Sequence, residues 1–306
     1  AGFGALAQQL VEMFDQLRHA SDKPILLTWQ SMPEGTAEQL AARGIHVFTE
    51  PARAVRVLGH LVRHAHDLRQ RVHRAAGPAP AFDWDAFVPA GTTDQVVSEH
   101  VVSRILEAAQ LPVARGRVAQ SADEAVRAAQ EVGFPVAIKG LSPAITHRAA
   151  AGLVALNVAS DADVARTQHL FTERAAARGV ELEGIWVQHM FSGDRELLVT
   201  AFRDREFGVM VGIGLGGGLT EIIDDVVFAR APLDADAALA LLSRLRTLRR
   251  LPELLTHGQQ QLAAAFLTRF SALAASAPWP GFTLEVNPVK LADDGLAAVD
   301  GLLLID

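Results

Sequence analysis

Cysteine is absent from the 306 residues. That excludes disulfides, thiolate catalysis and cysteine-ligated zinc or iron–sulfur centres, and it makes a reducing, cytoplasmic setting the expectation. Lysine is nearly absent: of 28 basic residues only Lys23, Lys139 and Lys290 are lysines, which leaves 25 arginines. A lysine inside a motif therefore stands out. No apolar run approaches the roughly 20 residues that span a bilayer, because charges interrupt every candidate. Positive charge is not in excess, since 35 acidic residues leave a net charge of −7, so bulk charge does not recommend nucleic acid as a partner. The charged-then-apolar build of a signal peptide is missing too, and Ala1 reads as a cut end. What is present is apolar substance: half the residues are hydrophobic, enough for sizeable cores, and the length favours two lobes or domains.

Along the chain, Leu6, Leu10, Met13, Phe14 and Leu17 recur at helical spacing. The run Pro24–Trp29 predicts a buried strand, Thr36–Arg43 a helix stopped by Gly44, Ile45–Phe48 a second strand, and about Pro51 to Arg74 a third helix. Strand and helix alternating in this way predict a βα pair of a parallel sheet. Two strands make a thin sheet, so this piece is expected to need a partner or upstream sequence. A Pro- and Ala-rich stretch, 77–91, reads as a linker. Beyond it come a helix over about 94–109, a capping box Ser121-Ala-Asp-Glu124 opening a helix to Val132, and strands over 134–139 and 152–159. A helix over about 161–178, strands over 184–190, 196–202 and 208–213, helices within 234–276 and final strands over 283–287 and 297–305 complete the reading. No period of 20–50 residues marks a solenoid.

Four constellations carry candidate chemistry. In Phe134-Pro-Val-Ala-Ile-Lys139 an amine ends an apolar strand, where a phosphate is one suitable partner and a snorkelling lysine the plainer alternative. In Val211-Gly-Ile-Gly-Leu-Gly-Gly-Gly-Leu-Thr-Glu221 five glycines fall within seven residues, so backbone N–H groups can approach an anion; a flexible hairpin is the alternative. Glu221, Asp224 and Asp225 then serve a cation or face water. In Leu284-Glu-Val-Asn-Pro288, Glu285 and Asn287 share one strand face, and the next strand can bring Asp300 alongside as a hard-oxygen set for Mg²⁺. Last, Ser142-Pro-Ala-Ile-Thr-His147-Arg148 offers an imidazole that can accept a phosphoryl group, set against a structural histidine among eleven. The helix-spaced pair His60 and His64 lacks carboxylate company for a metal site, and Arg244, Arg246, Arg249 and Arg250 read as a solvated helix end.

Taken in order, these pieces resemble the ATP-grasp domain of NDP-forming acyl-CoA synthetases, relatives of the succinyl-CoA synthetase β subunit. The resemblance runs from about Thr92 to Asp306 and also rests on Gly184-Ile-Trp-Val-Gln-His-Met190, Arg195-Glu-Leu-Leu198, Glu221-Ile-Ile-x-Asp225 and Val299-Asp300. Lys23 to Arg69 looks like the second half of the flavodoxin-like ligase domain of single-chain members. The implied fold is therefore mixed α/β and α+β: a partial flavodoxin-like segment (1–76), the linker, and a two-lobed ATP-grasp domain (92–306) with its small lobe over about 112–183. By position, the resemblance gives Lys139, Gly152, Gln188, Glu196, Gly214, Gly216, Gly217 and Glu221 to ATP, with the backbone at Gln188 reading adenine. It gives Asn287, Asp300 and, less firmly, Glu285 to Mg²⁺, and a phosphate relay to His147.

The implied reaction is carboxylate, CoA and ATP to acyl-CoA, ADP and phosphate, reversibly, through acyl phosphate and phosphohistidine. CoA-binding and phosphohistidine domains would come in cis or from a partner subunit, with a small carboxylic acid as substrate, no nucleic acid or membrane, and a homo-oligomer as an option. One stretch departs from the family: His147-Arg-Ala-Ala-Ala-Gly152-Leu-Val154 stands where His-Lys-Ser-Asp-x-Gly-Gly-Val is usual, so an acid and a glycine are lost. In addition, Ala229 occupies a usual arginine position, with Arg230 following. Two other readings stay open: a degenerate nucleotide-binding or scaffolding module of a fused regulatory acyltransferase, and an ATP-grasp ligase with an amine acceptor.

Overall fold

A computed structural model describes residues 2–71, 81–142, 145, 148–217 and 224–306. Two compact units divide the chain, 1–75 and 76–306.

The first unit runs α1 (Gly2–His19), β1 (Leu27–Thr28), α2 (Thr36–Ala42), β2 (Val47–Phe48) and α3 (Pro51–Arg71). β1 and β2 pair in parallel, Leu27 opposite Val47 and Thr28 opposite Phe48, as a helical crossover requires. The strands are shorter than their apolar runs predict. A lone pair of strands gains little from extension, because no further strand completes the ladder among the described residues. Val11, Leu40 and Ile45 form its small buried core.

The second unit holds two antiparallel sheets. The smaller has four strands in the order β4 (Gly116–Ala119), β7 (Gly184–His189), β5 (Val136–Leu141) and β6 (Val154–Val158). α5 (Ala122–Val132) and α6 (Asp161–Ala176) cover one face, burying Ala125, Ala129, Val164 and Phe171 against Ile138 and Val187. The predicted capping box opens α5. Ser121 Oγ accepts from Glu124 N–H at 3.3 Å, although the Glu124 carboxylate accepts from Gln120 N–H instead of closing on Ser121.

The larger sheet follows the path β10 (Val226–Arg230), β9 (Gly208–Leu215), β8 (Arg195–Asp204), β11 (Phe282–Leu291), β13 (Gly301–Ile305) and β3 (Gln95–Val97), with β12 (Leu296–Ala298) beside β11. α4 (Glu99–Ala108), α7 (Ala235–Leu242), α8 (Arg246–Arg250) and α9 (His257–Ala275) complete the unit. Phe266, Phe270, Phe282, Leu284 and Ile213 lie in the centre of its core.

Four differences from the sequence reading have physical causes. The helix expected from Asp94 begins only at Glu99, because Gln95-Val-Val97 pairs with β13 as an edge strand. The linker expected over 77–91 is packed in its described part: Trp84 is buried, donates Nε1–H to Ser276 Oγ at 3.1 Å, and meets Trp279 edge-on. Its aromatic residues outweigh the prolines. β10, absent from the reading, borders β9 with a polar end at Arg230. The final strand expected over 297–305 breaks at Val299-Asp300, where Val299 N–H donates to Pro288 and Asp300 C=O accepts from Asn287 N–H, each at 3.0 Å. That break turns Asp300 out of the ladder toward the smaller sheet.

Candidate functional site

Every residue of β5 is buried, so Lys139 must find its partners inside protein. Its Nζ donates to Glu99 Oε1 at 2.5 Å and to the Val299 carbonyl at 3.2 Å, and lies 3.9 Å from Asp300 Oδ2. Arg148 closes the group. Its Nη1 is 2.5 Å from Glu99 Oε2, an ion pair off the hydrogen-bonding angle, and its Nη2 is 3.5 Å from Asp300 Oδ1. Two cations and two carboxylates thus meet from β5, the segment after it, the first residue of α4 and the β12–β13 turn. Burial pushes the Glu99 carboxyl up, the Lys139 and Arg148 charges pull against it, and Asp300 adds to the rise. The net direction is upward.

The hard-oxygen residues gather beside this box. Glu285 and Asn287 share a face of β11. Asn287 Oδ1 accepts from Gly217 N–H at 3.0 Å, and its own N–H is the donor to Asp300 C=O. Burial pushes the half-buried Glu285 carboxyl up, and the Asp300 charge pushes it further. A half-buried carboxylate and a partly exposed one that repel one another, with an amide oxygen nearby, suit a divalent cation. Among the described residues no third carboxylate or imidazole completes a cage, so remaining ligands would be phosphate oxygens or water.

The described glycines of the rich stretch are explained first by their neighbours. A Cβ on Gly214 would lie 2.8 Å from the Asp225 carbonyl, and one on Gly216 would strike the Leu197 backbone. Gly217 has φ of +76°, and a Cβ there would collide with the Glu196 carboxylate. Gly216 N–H donates to Glu196 C=O at 2.8 Å, and Glu196 Oε1 lies 3.2 Å from Lys290 Nζ. Gly152, at φ +69°, turns the chain into β6, where Val154 stands opposite Lys139. His147 and Glu221 lie outside the described residues.

Two expectations change. Asp225 serves neither cation nor water: it is buried and caps α8, accepting from the backbone N–H of Arg246 at 3.0 Å and of Thr247 at 2.7 Å, and from the Thr247 hydroxyl at 2.7 Å. Burial pushes its carboxyl up, yet these bonds hold it below the usual carboxylate range. Gln188 lies inside β7 between Gly116 and Ala137, so its peptide groups belong to the sheet interior and not to an open hinge. Its Nε2 donates to Ala114 C=O at 3.4 Å. The connection that leaves the sheet comes after His189. There Pro135, His189, Met190, Phe191, Lys290 and Asp293 border a cavity of about 730 Å³.

Glu99 and Lys290 are the site residues the sequence reading passed over, and Arg148 entered it only as a neighbour of His147. For Lys290 a signal existed, since it is one of three lysines. For Glu99 the signal was weaker, an acid at a helix start, and it was hidden by the misplaced helix boundary.

Residues 90–305 match the family model of the ATP-grasp domain. Relatives include the acetate–CoA ligase [ADP-forming] I of Archaeoglobus fulgidus, 30% identical over 275 residues, 85% of this chain and 39% of that protein. Another is the acetate–CoA ligase [ADP-forming] I subunit beta of Pyrococcus furiosus, 29% identical over 214 residues, 68% of this chain and 90% of that subunit. Among solved structures, the dinucleotide-forming acetyl-coenzyme A synthetase 1 of Ca. Korarchaeum cryptofilum, in complex with coenzyme A and Ca-AMPCP, superposes with a TM-score of 0.65 at 28% identity. It covers 71% of this chain and 95% of that one. The present chain thus spans about two fifths of the Archaeoglobus relative's length. Among the described residues no helix is long and apolar enough to cross a membrane. The chain belongs to the ATP-grasp domain family.

Proposed function

We propose, from that membership, that this chain is the ATP- and Mg²⁺-binding, phosphoryl-transferring part of an NDP-forming acyl-CoA synthetase. The observation that supports it most is the approach of Lys139 Nζ to within 3.9 Å of Asp300 Oδ2. An amine from one sheet and an acid from the last strands of the other meet around one site, although 160 residues separate them in the chain. In the proposed complex Lys139 holds phosphate oxygens as a point charge. Asn287, Asp300 and Glu285 hold Mg²⁺, which when bound neutralises charge on the phosphates. Phosphoryl transfer needs positioning and neutralisation more than covalent help, which suits this set.

The base is proposed for the 730 Å³ cavity, within the volume usual for ligand sites, with Lys290 and Glu196 between it and the phosphate end. This moves the adenine contact from Gln188 to the connection that follows it. Gly152, Gly214, Gly216 and Gly217 shape the backbone around the phosphates, Glu221 belongs to the same end, and His147 relays the phosphoryl group. CoA-binding and phosphohistidine parts are supplied in cis or by a partner subunit, and the setting is cytoplasmic. The first unit is proposed as the flavodoxin-like remnant.

A second reading has two observations in its favour. Lys139 is buried, its ammonium already engaged by Glu99 and Val299, and Ala150 replaces the family's acid. This fits a module that binds nucleotide without transferring phosphate. Incubation with γ-labelled ATP separates the two. Transfer predicts acid-labile label on the chain that is lost in His147→Ala, whereas nucleotide binding without label, or equal label in both proteins, sinks the relay.

A further inference from the structure

We propose that Glu99 is a positioning residue of the phosphate end, one carboxylate that sets the direction of the Lys139 ammonium and ties it to Arg148. The inference rests on the nucleotide reading above and adds to it a residue outside the expected ATP and metal sets. Glu99 is 5% exposed and opens α4, where the helix dipole favours a negative charge. Its two oxygens take different partners from different segments, Oε1 the Lys139 ammonium at 2.5 Å and Oε2 the Arg148 guanidinium at 2.5 Å.

Geometry separates this from simple ion pairing in a core. A lysine stem carried on β5 can swing its ammonium through several rotamers, and Asp300 is a second carboxylate within its reach. Glu99 holds it at hydrogen-bonding distance from Val299 C=O and 3.9 Å from Asp300 Oδ2, while Arg148 Nη2 reaches the other Asp300 oxygen at 3.5 Å. The acid thus fixes one direction for the ammonium, bonded to Glu99 and Val299 and set beside Asp300.

The test needs only three lysine signals, because the chain has three lysines. In protein labelled with ¹⁵N-lysine, the signal assigned to Lys139 by its loss in Lys139→Ala should be protected from solvent exchange. In Glu99→Asp, which keeps the charge but withdraws it by a methylene, that signal should shift and exchange faster. Glu99→Gln, of the same shape but uncharged, provides the second variant should the first unfold. Mg-ATP affinity by calorimetry then completes a double-mutant cycle. Glu99→Asp should weaken binding about tenfold when Lys139 is present and less than about twofold in Lys139→Ala, the sign of coupling through the lysine. An unchanged Lys139 signal, or equal weakening in both backgrounds, would overturn the proposal. If the unaltered chain binds no Mg-ATP, the nucleotide reading fails, while the exchange measurement still decides whether Glu99 holds Lys139.

Discussion

Lys139 and Lys290 stand at the two ends of one run of contacts, and the ends are built differently. Lys139 is enclosed, met by Glu99 and Val299 and flanked by Arg148 and Asp300. Lys290 is partly exposed, paired with Glu196, and faces the large cavity. Between them run Asp300, Asn287 and Gly217, joined through Asn287 by two 3.0 Å hydrogen bonds, and Gly217 packs against Glu196. The difference teaches where rigidity is needed. On the proposed reading, the positions that would meet phosphate and metal oxygens are fixed by buried charge, whereas the place proposed for a flat base has room and one partly exposed, paired cation.

The sharpest way to break this comparison is to remove the enclosed amine. Lys139→Ala should weaken Mg-ATP binding roughly tenfold to a hundredfold, since a hydrogen bond to a charged group is worth about 1.5–3 kcal/mol. Calorimetry that finds equal affinities would remove Lys139 from the phosphate site. Gly217→Ala tests the joint between the ends. A side chain at φ +76° pressed against Glu196 should cost about 1–3 kcal/mol in urea unfolding, and a variant as stable as the parent would show that the close approach is dispensable.

Asp225→Ala serves as a control near the glycine stretch but turned away from it. It should lose about 1–3 kcal/mol of stability, with Mg-ATP affinity kept, because its carboxylate caps α8. Its folded pKa lies below the unfolded value, so the contribution is present above the unfolded pKa and lost as pH falls through the folded one. Parent and variant should therefore converge in acid; a gap that persists there would deny the cap. The smallest effect is expected at the open end. Lys290→Met should change affinity by about 0–1 kcal/mol, as a partly exposed pair does, and a loss as large as that of Lys139→Ala would erase the contrast.

Much of the second unit was legible in the sequence. Strands such as Val136–Leu141 and Gly184–His189 announce themselves by apolar runs, and helices such as Ala122–Val132 by cap and glycine stop. The proposed site residues Lys139, Asn287 and Asp300 stand out in the sequence because rare or hard-oxygen side chains end apolar strands. Their proximity was not, since it depends on the break at Val299-Asp300 and on the pairing of β11 with β13, both long-range choices. Glu99 was hidden for a related reason: Gln95–Val97 has no strand character until β13 lies beside it. The packed Trp84 shows the same limit, because composition registers its neighbouring prolines but not its partner Trp279, 195 residues away.

In the proposed complex one nucleotide touches both the β5 amine and the last-strand acids. Titrating ¹⁵N-lysine protein with Mn²⁺-ATP measures this directly, because the paramagnetic ion bleaches signals near it. The Lys139 signal should vanish at substoichiometric Mn²⁺-ATP and return when excess Mg²⁺-ATP displaces it. A Lys139 signal that keeps full intensity while Mn²⁺-ATP is bound would place the nucleotide elsewhere and contradict the assignment.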